Sequence, residues 1–588
     1  KTVIVFGGPN FPRERDEQEE FLRSNEVIDF YIEGEGEKSF QLLVRNLCTF
    51  DYNLDKLKPL SNPSVRTIYE DNFVTNELAT RINNLDEVPS PYLTGKMDKF
   101  FTEKLMPLIQ TTRGCPFSCT YCVEGHGYYN QVVTRNSRDY INVELEYIAK
   151  KVTDNKQLFI ADSNFGMYNE DVQTAKAIRQ MMDEWGFPSY IQVATGKNRK
   201  DLVLEIARIL KGKLRLSGSV QSLDPVVLSN VKRKNILTEQ LLDVASDSKE
   251  IGANSYSEVI LGLPGDSLDA HMETMKGVIE AGFDFVLPWT LMLLQGSEMS
   301  GRETKKKFGM TLKYRVLPRC FGIYHFGDRE FVSAEIEEVC IGNDNLSFDD
   351  YVECRRFTLT TALFYNDRLF GEIQDLLKSL KLSPFSWLSI IHNTRDSFPD
   401  NLKSIYENFE NDTINELWNS EEDLHRFLNN SETIRKYISG ELGINVMYHY
   451  RTKAIINGMK ELNNIAFDAA ESLVNKDQPE YYQINGEFLS QLRLFSLARK
   501  IDMLDFEKSF EYDFSYDFKH ILEQGLFNLS NAKQGGKMFR YRFYHSIEQT
   551  KAIKEQMGMF GSDIVGLAKV LSRIKIKDLY RQIGPVSL

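Results

Sequence analysis

The chain is 588 residues long, 42% apolar and 26% charged, and carries a formal net charge of −13. That length exceeds a single hydrophobic core and predicts about three or four domains. The acidic balance argues against a nonspecific grip on nucleic acid, no uncharged apolar run approaches the ~18 residues of a membrane span, and seven cysteines, three of them in one short loop, point to a reducing, cytoplasmic setting, not a disulfide framework.

In chain order, Lys1 to Phe6 reads as an apolar strand that runs into Gly7-Gly8-Pro9. A charged helix from Arg13 to Ser24 follows, then a strand Val27–Ile32, the turn Glu33-Gly34-Glu35-Gly36-Glu37, and a helix Lys38–Leu47. This is strand–helix–strand order, an α/β module over residues 1–60. Residues 61–104 read as a linker, since Asn62-Pro63-Ser-Val-Arg66 and Val88-Pro-Ser-Pro-Tyr-Leu-Thr-Gly95 carry prolines that favour extended backbone.

Between 105 and 302, strands predicted at Leu108–Thr112, Gln157–Asp162, Tyr190–Ala194, Leu214–Val220, Tyr256–Leu261 and Phe283–Leu287 alternate with helices at Val143–Val152, Val172–Trp185, Leu202–Leu210, Leu237–Ile251 and Leu268–Ala281. Six such steps imply parallel strands closing as a partial (β/α)6, TIM-like barrel, with sites at the C-terminal strand ends. Residues 303–588 read as a mainly helical domain, with apolar residues such as Leu369, Ile373, Leu376, Leu377 and Leu380 at helical spacing. Within it, 331–348 reads as a short strand and loop, and Phe539–His545 as an amphipathic helix on the barrel or an anion-binding stretch. Lys305-Lys-Lys307 reads as a solvated turn, and the scattered Cys320, Cys340 and Cys354 as buried thiols.

The chemistry is concentrated in Thr111-Thr-Arg-Gly-Cys115-Pro-Phe-Ser-Cys119-Thr-Tyr121-Cys122, a C-x3-C-x2-C loop leaving the first barrel strand. Zinc sites gather four ligands, usually as two pairs, and no second pair exists here; His126 is the one nearby residue that could complete a set. Three thiolates suit a [4Fe-4S] cubane with one iron left open. The loop resembles the signature of the radical S-adenosylmethionine (SAM) superfamily. In that family the open iron binds SAM, and reduction cleaves SAM to methionine and a 5′-deoxyadenosyl radical.

The resemblance extends along the barrel. Asp162-Ser-Asn164-Phe-Gly166 resembles the turn that meets the methionyl amino group, although Asp162 and Asn164 equally suit an Asx turn. Ser219-Val-Gln221-Ser-Leu-Asp224 with Val231-Lys-Arg233-Lys-Asn-Ile236 resembles the block that reaches the SAM ribose or carboxylate. Glu258-Val-Ile-Leu-Gly-Leu-Pro-Gly-Asp266 resembles the strand that ends beside the adenine, where Tyr121 also packs, and Asp266, Ser267 or Asp269 is placed to cap the next helix. Glu258, on an otherwise apolar strand, either faces the barrel interior or pairs with a base.

The opening segment resembles the C-terminal end of the Rossmann-like cobalamin-binding domain of the B12-dependent subclass, which assigns Gly7, Gly8, Gly34 and Glu35 to cobalamin. Glycine there permits close backbone approach. The family's earlier strands are not present, so Lys1 is read as falling inside such a domain. The resemblance implies a cobalamin-dependent methyltransferase acting on an unactivated carbon of a small-molecule or peptide substrate, with flavodoxin or ferredoxin as electron donor. A non-methylating radical reaction such as cyclisation, or a non-catalytic SAM- or cluster-binding role, stays open.

Overall fold

The computed structural model describes residues 2–585 except 102–104, 154, 197, 236–246, 248, 249, 252, 525–537, 572, 573 and 575. It divides into two compact units. The first comprises residues 1–266, 289–311 and 340–346; the second comprises 267–288, 312–339 and 347–588.

The first unit opens with a four-stranded sheet whose strands lie in sequence order. Val5–Gly7 pairs parallel with Phe30–Ile32 across the helix Arg15–Ser24. Successive side chains of a strand point to opposite faces. Phe30 and Ile32 therefore pack with Leu43, Leu47, Leu57 and Val65, while Tyr31 packs with Phe11, Leu22 and Ile28 on the other side.

Here the expected linker needs correction. Val65–Tyr69 and Asn72–Thr75 form an antiparallel hairpin that extends this sheet, because Val65 pairs with Ile32 and Arg66 with Tyr31. Glu70 and Asp71, both at positive φ (45° and 61°), make the two-residue turn that suits the twist of a hairpin.

Farther along, Leu108–Ile109 pairs parallel with Gln157–Phe165, which pairs parallel with Tyr190–Thr195. Ile191 bridges in parallel to Leu214, and Leu216–Ser217 pairs parallel with Ser255–Leu261. The helices Arg138–Lys151, Asn169–Trp185 and Lys200–Ile209 connect the first of these strands. Most of the helix expected at Leu237–Ile251 lies outside the described residues. Past Ile109 the chain leaves the parallel ladder, and Thr112–Arg113 pairs antiparallel with Thr134–Arg135. That pairing forms a neck from which the cysteine loop projects. Lys305–Lys307 closes a short helix, Arg302–Lys307, instead of a turn.

Thr311–Phe326 and Arg329–Gly342, of which residues 312–339 belong to the second unit, form a two-stranded sheet much longer than the strand expected near 331. Helices follow, among them Phe348–Phe364, whose buried residues include Tyr351, Phe357 and Leu363, and Met459–Asp477. The helix expected at Phe539–His545 is a strand, Phe539–Tyr544, held antiparallel between Phe510–Phe514 and Gln582–Pro585. Cys340 and Cys354 are buried, Cys320 is half-buried and Cys48 exposed; none forms a disulfide.

Candidate active site

The end of strand Gln157–Phe165 organises the site. Asp162 is buried there, and its carboxylate serves the backbone that enters the cysteine loop. The N–H groups of Thr111 and Thr112 donate to Oδ1 at 2.8 and 3.1 Å, and the Thr111 hydroxyl donates to Oδ2. Burial pushes Asp162 up to about 6 despite these hydrogen bonds. Where the sequence suggests a SAM contact, Asp162 ties two strands together. Two residues on, the amide Nδ2 of Asn164 donates to the Cys115 sulfur at 3.2 Å.

Two glycines shape the loop. A Cβ on Gly114, at φ +102°, would meet the carbonyl oxygens of Val132 at 2.7 Å and Tyr129 at 2.9 Å; on Gly125 it would lie 2.1 Å from the Cys119 carbonyl oxygen. Cys119 is buried, Cys115 and Cys122 half-buried. Burial raises the Cys122 thiol above its ordinary value. Among the described residues, though, no three His, Cys, Asp or Glu side chains converge on a single point suited to one metal ion. In a cubane each cysteine ligates a different iron, and three thiolates on one loop are the donor set such a cluster takes. His126 does not help a zinc reading. Its Nδ1 accepts the Tyr128 N–H at 3.1 Å as the cap of the short helix Gly127–Asn130, and burial lowers its pKa.

The remaining SAM candidates cluster on neighbouring strands. Buried Arg233 donates from Nη1 to the Tyr121 hydroxyl at 2.8 Å, from Nη2 to the Ser219 carbonyl, and from Nε to Asn235 Oδ1 at 2.7 Å. The Ser219 hydroxyl donates to Glu258 Oε2 at 2.9 Å, and the Trp289 indole N–H reaches Oε1 at 3.3 Å, so Glu258 pairs with neutral donors instead of a base. Gln221, at φ +65°, is locked by backbone bonds to Glu258 (2.9 Å) and Ile260 (2.8 Å). Its side-chain Oε1 is buried without a protein partner. An orphaned acceptor of this kind is costly unless something else donates to it, and the ribose hydroxyls of SAM would fit.

Beside the loop lies a cleft of about 670 Å³, where Gly7, Gly34, Glu35 and Glu37 face Arg113, Gly114 and Glu124. Gly34 sits at φ +80°, and a Cβ there would lie 2.7 Å from the Tyr128 ring, so the close approach demands glycine. Gly8, at φ +103°, lines a smaller adjoining cavity with Gly34 and has open space before it. Glu35 is otherwise engaged: Arg81 Nε donates to Oε1 at 3.1 Å and the Ile82 N–H to Oε2 at 2.8 Å. Arg81, Tyr128 and Trp289 carry no functional reading in the sequence. Arg81 in particular stands in a segment with no periodicity, and only the fold reveals its role.

Residues 109–277 match the family model of the radical SAM superfamily. Among curated proteins, it is 27% identical over 376 residues to 2-(S-pantetheinyl)-carbapenam-3-carboxylate methyltransferase from Streptantibioticus cattleyicolor, covering 62% of this chain and 53% of that one. It is likewise 27% identical over 377 residues to the cobalamin-dependent radical SAM methyltransferase TokK from Streptomyces tokunonensis, with the same coverage. The chain therefore spans about half the length of the curated relatives it matches. A solved structure of TsrM from Kitasatospora setae, with cobalamin and a [4Fe-4S] cluster bound, aligns at a TM-score of 0.39 and 13% identity, covering 55% of this chain and 60% of that one.

Proposed function

We propose that this chain is a cobalamin-dependent radical SAM methyltransferase acting on an unactivated carbon of a small molecule or peptide. One observation carries the reading. The glycine turns at Gly7 and Gly34 and the loop holding Cys115, Cys119 and Cys122 border a single cleft, through Arg113, Gly114 and Glu124. A flat cofactor against the glycines and a cluster on the cysteines would then be neighbours. In this reading the strands Leu108–Ile109 to Ser255–Leu261 belong to a partial (β/α)6 barrel, and the opening module is part of a Rossmann-like cobalamin domain.

Bound at these positions, the cluster and SAM would supply a 5′-deoxyadenosyl radical and cobalamin the methyl group. The protein's part is placement. Asp162 fixes the backbone entering the loop, Gln221 offers its free Oε1 to SAM, and the Arg233–Tyr121 pair stiffens the loop between Cys119 and Cys122. Apolar Phe6, Ile32 and Phe40 line the cleft and limit water there. A flavodoxin- or ferredoxin-type donor would deliver the electron.

The test is anaerobic reconstitution with iron and sulfide, followed by reduction with SAM and assay of 5′-deoxyadenosine beside a Cys119→Ala control. Product that vanishes in the control supports the radical reading, and added cobalamin then allows methyl transfer to be sought. A loaded cluster that leaves SAM intact would favour a SAM- or cluster-binding role.

A further inference from the structure

One loop sulfur is met by a side-chain donor from a separate element: Asn164, at the end of the strand Gln157–Phe165, donates from Nδ2 to Cys115 at 3.2 Å.

The strand end that carries Asn164 is held firmly. Asn164 is buried, its backbone carbonyl accepts the Met167 N–H at 3.1 Å, and Gly166 just beyond it, at φ +91°, donates its N–H to Asp171 at 2.8 Å. Two residues before it, Asp162 fastens the strand to Thr111 and Thr112. As a neutral group, the side-chain amide donates at every pH.

We propose that Asn164 is a positioning residue that raises the reduction potential of the cluster, by hydrogen bonding to the Cys115 thiolate. The inference rests on the radical SAM reading above. A donor on a thiolate sulfur withdraws charge and stabilises the reduced cluster, which carries one more negative charge than the oxidised one. It also assigns Asn164 a role other than direct SAM contact.

The test is an EPR-monitored redox titration of reconstituted protein, with cluster content fixed by iron and sulfide analysis and Mössbauer spectroscopy. Asn164→Leu removes the donor at similar size, and Asn164→Asp replaces it with a negative charge. The expected result is a full cluster at a potential below wild type in Asn164→Leu, and lower still in Asn164→Asp. A full cluster at the wild-type potential in Asn164→Leu overturns the assignment. Should that variant fail to load, Asn164→Asp decides in the same way. If wild-type protein itself assembles no cluster, the radical SAM reading fails first, and this inference with it.

Discussion

Arg81 and Glu35 face each other with side chains 6% and 5% exposed, and the same guanidinium also donates from Nη1 to the carbonyl of Tyr129 at 2.9 Å. One buried arginine thus joins the glycine-rich turn of the opening module to the segment that follows the cysteines. Losing one partner of a buried pair leaves an uncompensated charge. Arg81→Ala should therefore cost about 3–5 kcal/mol, and Arg81→Met combined with Glu35→Leu should recover most of that loss. Urea unfolding of the metal-free protein measures both. Equal losses in the single and double variants would deny the pair its structural role.

Gly125 should be irreplaceable for a local reason. The Cβ of Gly125→Ala would lie 2.1 Å from the Cys119 carbonyl oxygen, so the cysteine loop must shift. The expected variant keeps its circular dichroism spectrum while iron bound after reconstitution falls severalfold. Wild-type iron content would show that the loop tolerates the change.

Asp162 makes a prediction about pH. Its folded pKa of about 6 lies above that of an unfolded aspartate, about 3.9. The native state therefore holds a proton that the unfolded chain has released between those values. Its contribution to stability is complete below pH 4 and is lost as pH rises through 6. Asp162→Asn keeps the accepting oxygen for Thr111 and Thr112 and can donate to the Thr111 hydroxyl. It should flatten that slope and, at pH 7, be more stable than wild type by up to ~3 kcal/mol. Thermal unfolding from pH 4.5 to 7.5 tests this, and an unchanged slope would assign the titration elsewhere.

Gln221 separates binding from folding. Because its buried Oε1 has no protein partner, Gln221→Leu should leave unfolding within about 1 kcal/mol of wild type or stabilise it slightly. SAM affinity of the reconstituted protein, measured by calorimetry, should weaken roughly tenfold, the equivalent of one lost hydrogen bond. Unaltered affinity would remove Gln221 from the SAM site.

Legibility in the sequence followed how local each signal was. The cysteine loop and the strand–helix alternation from Leu108 to Leu261 could be read because their spacing lies within a few residues of chain. Phe539–Tyr544 shows the opposite error. Phe-Arg-Tyr-Arg-Phe-Tyr alternates with period two, placing Tyr541 and Phe543 in the core and Arg540 and Arg542 outside, and that is a strand signal; the basic-aromatic composition obscured it. The hairpin Val65–Thr75 was hidden by the nearby prolines, and its Glu70-Asp71 turn lacks the usual asparagine or glycine. No sequence pattern could disclose Arg81, whose partners at 35, 129 and 132 are brought to it by the fold alone.

The middle of the cysteine loop is fastened from both sides by distant backbone: Thr120 donates its N–H to the Val231 carbonyl at 3.1 Å, and its own carbonyl accepts from the Met299 N–H at 2.9 Å. Three cysteines that are neighbours in sequence thus depend on contacts spanning more than a hundred residues in each case. Contacts of such separation form late, after the entropy of long loop closure has been met. During synthesis the thiols emerge from the ribosome well before their scaffold exists. If these cysteines hold a cluster, iron would meet a fastened loop only after the chain has passed Met299, and cluster assembly would report on folding of the scaffold around the loop instead of aiding it.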